Sequence, residues 1–209
     1  MSNLNPQHVI SELTQLEHIY GGVAEASLKK EVPYIHPLYQ KLIQASPFAV
    51  MATSGPDGLD VSPRGDAPGF VQVLDDKTLL LPERRGNNRI DSLRNLLTDS
   101  RVALFFMIPG VGETLRVMGR ATITVEPTLM ERFAVGGKLP QCVLVIEVEK
   151  VFFQCARAIK RAGLWEPDAH KSAVDLPSAG RILAALSNGS INAERYDQEL
   201  PERQQKTLY

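Results

Sequence analysis

With 23 Lys and Arg against 24 Asp and Glu, the 209-residue chain carries a formal net charge of −1, and 44% of its residues are apolar. Near-neutrality argues against a nucleic-acid partner, which calls for a basic face, and no apolar run reaches the roughly 20 residues of a membrane span. One domain of generous size, or a domain with terminal additions, is the expected organisation.

The opening MSNLNPQHV lacks the basic-then-apolar pattern of a secretory leader, so a soluble cytoplasmic protein with no membrane partner is expected. Over residues 6–20, Val9, Ile10, Leu13, Leu16 and Ile19 recur at helical spacing and end at Gly21-Gly22, a strong stop. Leu38–Ala45 reads as a second short helix, started after Pro37 and closed before Pro47. Both are expected to pack on the outside of a sheet.

From Phe48 the period changes to two. PFAVMATS is a strand, Gly55-Pro56-Asp57-Gly58 a turn and Leu59–Ser62 the returning strand. A polar excursion, Pro63–Gly69, leads to Phe70–Leu74, the turn Asp75-Asp76-Lys77, and Thr78–Leu81, which breaks at Pro82. A helical pattern then begins near Asn88, with Ile90, Leu93, Leu96 and Leu97 on one face and Asn87 and Asn88 as candidate caps.

Arg101–Ile108 is an apolar strand, and Thr114–Val125 is the cleanest alternation in the chain. Its Leu115, Val117, Ala121, Ile123 and Val125 share one face, with Arg116, Met118, Arg120, Thr122 and Thr124 on the other. Pro127–Phe133 begins a short helix, and Cys142–Phe153 is a further strand with a bend near Lys150. Beyond Trp165 the pattern is less regular: Ser178–Leu186 suits a helix, and Asn192–Tyr209 is polar enough to lie on the surface or reach a partner. Six or seven strands with only short helices between them predict a mainly β fold, an antiparallel barrel with peripheral helices. The expected divisions are an N-terminal helical extension over 1–46, the barrel over 47–165 and a C-terminal extension over 166–209.

Several chemistries find no support. Gly110-Val111-Gly112 supplies two glycines of a dinucleotide fingerprint, but Leu115 occupies the third position and no crossover helix follows. His8, His18, His36 and His170 are scattered, so no catalytic metal is expected. No serine sits in a nucleophile elbow, and Cys142 and Cys155 read as reduced core thiols.

What remains is cationic. Arg84, Arg85 and Arg89 crowd a helix start, where unpaired N–H groups and a partial positive charge favour an anion. A phosphate resolves that conflict, although Glu83 and Asp91 are placed to neutralise part of the cluster. Arg64, Arg116 and the run Arg157–Arg161 are candidates to converge on the same pocket, the profile of a site for a phosphorylated small molecule. With no obvious acid–base pair, an organic cofactor is needed for difficult chemistry. Trp165 suits stacking on a planar ring or, equally, an ordinary packing anchor.

The succession Ala52-Thr53, Asp57-Gly58, Ser62-Pro63-Arg64-Gly65-Asp66, Leu80–Arg84, Gly86–Arg89, Pro109-Gly110, Glu113–Val117 and Gly119-Arg120-Ala121 resembles the pyridoxamine 5′-phosphate oxidase-like FMN-binding split barrels, in particular their uncharacterised bacterial branch. The resemblance runs over roughly 33–165. It implies a six-stranded split β-barrel and a homodimer with FMN at the subunit interface. By that likeness Arg84, Asn88 and Arg89 hold the FMN phosphate, with Arg64 reaching the phosphate or the ribityl chain. Val71, Gln72, Val73 and Leu74 run along the isoalloxazine edge, and Leu81 and Pro82 flank it. Glu113, Thr114 and Arg116 come from the neighbouring strand of the other subunit. The true oxidases carry Ser-Arg-Lys in the phosphate segment and a C-terminal Arg-x-His substrate signature; this chain has neither, so the likeness carries the cofactor further than the substrate.

The function expected is an FMN-dependent oxidoreductase acting on a small organic molecule, with Lys160, Arg161 and Trp165 on the substrate side, or Lys160 and Arg161 merely a solvated helix face. The alternative is a non-catalytic FMN carrier or sensor. Haem in the same barrel is disfavoured because no His falls between Phe48 and Phe153.

Overall fold

The computed structural model describes residues 4–167 and 176–209, so His170 lies outside the described residues. The chain divides into two units, Met1–Glu31 and Val32–Tyr209. The boundaries expected at 46/47 and 165/166 do not coincide with that division.

In the first unit the expected single helix over 6–20 is two pieces, a 3-10 turn at Pro6–His8 and helix α1 at Leu13–Tyr20, followed by α2 at Glu25–Lys29. Asn5 caps the first piece by accepting from Gln7 N–H at 3.0 Å, and a reciprocal Glu12–Gln15 box opens the second. Helix α1 stops at Gly21, whose φ of +69° suits glycine. Its apolar residues Leu13, Leu16 and Ile19 are exposed.

The second unit opens with helix α3, Pro37–Ala45, and continues as strands β1 (Phe48–Gly55), β2 (Gly58–Gly65), β3 (Gln72–Asp75) and β4 (Thr78–Glu83). Helix α4 (Asp91–Thr98) precedes β5 (Arg101–Met107) and β6 (Thr114–Thr124); α5 (Pro127–Glu131) precedes β7 (Cys142–Gln154). Helices α6 (Arg157–Ala162), α7 (Ala179–Leu186) and α8 (Ala193–Lys206) complete the chain. The strands form one antiparallel sheet in the order β2-β1-β5-β6-β7-β4-β3, seven strands, within the six or seven that the pattern predicts and one more than the resemblance implies.

Alternation decides which side chains enter the core. On β1, Ala49, Met51 and Thr53 are buried; on β5, Leu104 and Phe106; on β6, Leu115, Val117 and Ala121. They meet Leu144, Ile146, Val148 and Val151 of β7 and Leu79 and Leu81 of β4. Each large apolar side chain so buried stabilises the fold by roughly 1.5–3 kcal/mol relative to exposure. Strand β4 does not alternate because α5 and the segment after it cover its other face, where Leu80 packs with Phe133 and Val143.

Four expectations need correction. Strand β2 runs on through Pro63 to Gly65, because an edge strand tolerates a residue without an N–H. Strand β4 likewise passes through Pro82, which pairs with Val143 beyond the point where β3 stops pairing at Leu80. Val125 lies past the end of β6 and is 68% exposed. The stretch beyond Asn192 is regular after all: Asn192 caps α8 by accepting from Arg195 N–H at 2.8 Å, and i,i+4 ion pairs Arg195–Glu199 and Lys206–Glu202 support it.

The bend near Lys150 is a β-bulge, with Met118 opposite Lys150 and Gly119 opposite Val148, leaving Glu149 as the extra residue. Gly119 is required there, since a Cβ would sit 2.0 Å from the Glu147 carbonyl oxygen. Gly55 plays the same role under α4, where Asn95 occupies the space of its missing side chain and donates from Nδ2 to Thr53 Oγ1 at 3.1 Å. That contact seats α4 on β1 and aims its N-terminus at the gap described next.

Candidate functional site

The ends of β2 and β4 approach each other without pairing, and the loop 84–90 and the start of α4 close over the gap. They enclose a cavity of about 530 Å3, within the roughly 300–1,000 Å3 of small-ligand clefts. Residues alternating along β2 place Asp60, Ser62 and Arg64 on the cavity side.

These groups form a directed chain. Arg64 Nη1 donates to Ser62 Oγ at 2.9 Å, Ser62 and Ser92 hydroxyls lie 2.8 Å apart, and Ser92 donates to Asp60 Oδ2 at 2.5 Å. Because the one Ser92 proton goes to Asp60, the Ser62 hydroxyl is the donor between the serines. The chain ties β2 to the first turn of α4 and leaves neither serine proton free for chemistry.

Arg64 also donates from Nε to Glu83 Oε1 at 2.6 Å, and both side chains are largely buried. Burial pushes the Glu83 carboxyl above its ordinary value, with the Arg64 charge and hydrogen bond pulling the other way. Beside it, burial and the Glu83 charge push the Cys142 thiol up to about 11, so it stays protonated and inert. Arg84 pairs with Asp66 at 3.1 Å and donates to the Phe133 carbonyl at 2.8 Å. Burial raises the Asp66 carboxyl, but hydrogen bonds from Tyr209, Ala67 N–H and Arg84 together hold it below its usual range.

The loop behaves differently. Helix α4 starts at Asp91, three residues later than expected, and its cap position is Ile90, which has no side-chain oxygen to satisfy the first-turn N–H groups. Asn87 instead accepts from Arg89 N–H at 3.0 Å. Asn88 and Ile90 both adopt left-handed backbone, φ +59° and +52°, unusual for a β-branched residue. Of the expected apolar face only Leu93 and Leu96 turn inward; Ile90 and Leu97 are exposed. Arg89 pairs with Asp91 at 2.7 Å in an exposed position, and among the described residues Arg85 has no hydrogen-bond or ion-pair partner.

Of the expected site residues, Arg64, Pro82, Arg84, Asn88 and Arg89 line this cavity. The others do not. Val71 and Leu81 are fully buried in the core, Gln72 accepts from Arg132, and Val73 and Leu74 lie on the far edge strand. Arg116 sits on β6 with its guanidinium over Phe152. Glu113 and Thr114 are beside it at the start of that strand. Trp165 donates from its indole to the Val111 carbonyl at 2.8 Å, and Lys160 and Arg161 are exposed on α6. Within one chain Arg64, Arg84, Arg85 and Arg89 share the cavity, whereas Arg116 on β6 is separated from β2 by β5 and β1 and from β4 by β7 in the sheet. The expected cationic excess is corrected, since Asp60, Asp66, Glu83 and Asp91 line the cavity with four arginines. Asp60, Ser62, Asp66, Ser92 and Gln141 were not among the expected residues; period-two reading through Pro63 would have found the first two.

The residues present fit a phosphate at one end of the cavity, lined by an uncapped helix N-terminus, by Asn88, by Arg89 with its exposed Asp91 pair, and by Arg85, which has no hydrogen-bond or ion-pair partner among the described residues. Beside these polar groups, Pro63, Phe70, Pro82, Ile90 and Leu93 give the cavity a comparable apolar lining.

The family model described as Pyridoxamine 5′-phosphate oxidase matches residues 35–155. No curated protein matches the chain. Among solved structures, HupZ of Group A Streptococcus is 23% identical, with 58% of this chain and 94% of that chain covered and a TM-score of 0.48. General Stress Protein 26 of Bacillus anthracis is 17% identical, with 54% and 88% covered and a TM-score of 0.41. No helix among the described residues is long and apolar enough to cross a membrane.

Proposed function

The chain belongs to the pyridoxamine 5′-phosphate oxidase family, and from that premise we propose that its cavity holds the phosphate end of FMN and that the protein is an FMN-dependent oxidoreductase acting on a small organic molecule. The observation that carries this is the α4 wall: first-turn N–H groups with no side-chain cap line the same cavity as Arg85, which has no hydrogen-bond or ion-pair partner among the described residues. An anion there satisfies both.

Arg85 and Arg89 supply charge to the phosphate, and Asn88 and the first amides of α4 supply hydrogen bonds. Arg64 and Arg84 act from the side, held in place by Glu83 and Asp66. The Ser62–Ser92–Asp60 chain keeps α4 from drifting off β2, so the donors stay aimed at one point. Bound flavin supplies hydride acceptance and donation, chemistry that protein side chains lack. A second copy of the chain, bringing Glu113, Thr114 and Arg116, completes the site around the ring in this proposal. Lys160, Arg161 and Trp165 then hold the substrate. A cytoplasmic homodimer is part of the same proposal.

Titrating the purified protein with FMN and with riboflavin tests it. Riboflavin should bind at least about tenfold more weakly, the loss of a charge-assisted hydrogen bond of about 1.5–3 kcal/mol. Equal affinity for the two, or no uptake of either, overturns the proposal. Reduction of bound flavin by NAD(P)H and transfer to an acceptor separates an enzyme from a carrier.

A further inference from the structure

Tyr209 is 143 positions from Asp66 in the chain, yet its hydroxyl donates to Asp66 Oδ1 at 2.7 Å. Its ring centroid lies 5.3 Å from the Arg84 guanidinium carbon, and Lys138 Nζ donates to its backbone oxygen at 3.0 Å. Asp66 is shared among three donors: Oδ1 accepts from Tyr209 and from Ala67 N–H, and Oδ2 accepts from Arg84 Nε. Asp66 and Arg84 line the cavity, and Tyr209 backs them from outside it. Tyr209 follows α8, which is bound to α7 through Asp197; that carboxylate accepts from Ser178 Oγ at 2.5 Å and from Gly180 N–H at 2.7 Å. Gly180 leaves no room for a side chain, since a Cβ would lie 2.3 Å from the Ala193 carbonyl oxygen.

We propose that Tyr209 is a latch that couples the α7–α8 hairpin to the cavity wall, so that a seated hairpin preorganises Arg84 and Asp66 and a filled cavity in turn holds the hairpin seated. Arginine and aspartate at a cavity edge lose rotamer freedom when a ligand binds. With the Tyr209 ring on the guanidinium and its hydroxyl on the carboxylate, that ordering is complete before the ligand arrives. Coupling of this kind is reciprocal: what the latch adds to ligand affinity, the ligand adds to the latch. Tyr209 is thus a positioning residue, acting through Arg84. The ligand half of the proposal rests on FMN being the occupant; the mechanical half does not.

Hydrogen exchange of the α8 amides separates the two. Without ligand, Tyr209→Ala and Asp66→Asn should each speed α8 exchange, while Tyr209→Phe, which keeps the ring on Arg84, has a smaller effect. The β6 and β7 amides should be unchanged in all three, showing that the barrel is intact. Adding FMN to the natural protein should slow α8 exchange about fivefold, and Tyr209→Ala should abolish that response and weaken FMN binding by about the same factor. Unchanged α8 exchange in the ligand-free variants overturns the latch. FMN binding with no change at α8 overturns the coupling. Failure of FMN to bind the natural protein overturns the cofactor proposal and the coupling with it, and leaves the latch to be decided by the ligand-free comparison.

Discussion

The two walls of the cavity are built from the same residue types and do opposite things. On the β2–β4 wall, Arg64 and Arg84 are largely buried and each is matched by a buried carboxylate, Glu83 or Asp66. On the α4 wall, Arg89 pairs only in the open, Arg85 pairs with nothing among the described residues, and the helix start has no cap. A buried guanidinium with a committed partner is part of the scaffold, because removing either member strands a charge away from water. Donors left unsatisfied beside an exposed cluster are where a ligand gains most. The number of arginines therefore says little about a site until their partners are known.

The largest effect that sharpens this contrast falls on the first wall. Glu83→Ala leaves Arg64 buried and unpaired, and urea unfolding should show a loss of about 3 kcal/mol. Asp91→Ala, which breaks the exposed pair on the other wall, should cost less than about 1 kcal/mol in the same measurement. Equal losses would erase the distinction between scaffold and site. Next in size, Arg89→Ala should weaken FMN binding by about 1.5–3 kcal/mol while changing stability by no more than about 0.5 kcal/mol. Affinity that does not move would place the phosphate elsewhere. Smallest is Ile90→Asn. Asparagine tolerates left-handed backbone and caps a helix, so thermal unfolding should show a gain of about 1 kcal/mol. A loss would mean that the isoleucine packs against something that matters more than its backbone strain.

Much of the fold was legible because it rests on local periodicity. The alternation of β6 separated its buried face from Arg116, Arg120 and Thr122 in one reading, and only Val125, one step past the strand end, was misplaced. The position of the cavity was legible for the same reason, since Arg84 and Arg89 flank a strand-to-helix junction. The electrostatics were not. Arg64 meets Glu83 across 19 positions and Arg84 meets Asp66 across 18, so the neutralising acids are neighbours only once β2 and β4 are in place. Helix α8 was missed because caps and i,i+4 pairs sustain it rather than an apolar stripe, and Ile90 hid the start of α4 by standing where a polar cap is the norm.

Pro63 on β2 and Pro82 on β4 both face the gap between their strands. Two strand ends drawn together by an arginine and a carboxylate would ordinarily be free to zip into one more ladder and erase the hollow between them. An imino residue on each side withholds a donor from that ladder. The vacancy in the barrel is thus guarded by covalent ring closure, a safeguard that neither pH nor salt nor the loss of a ligand can switch off.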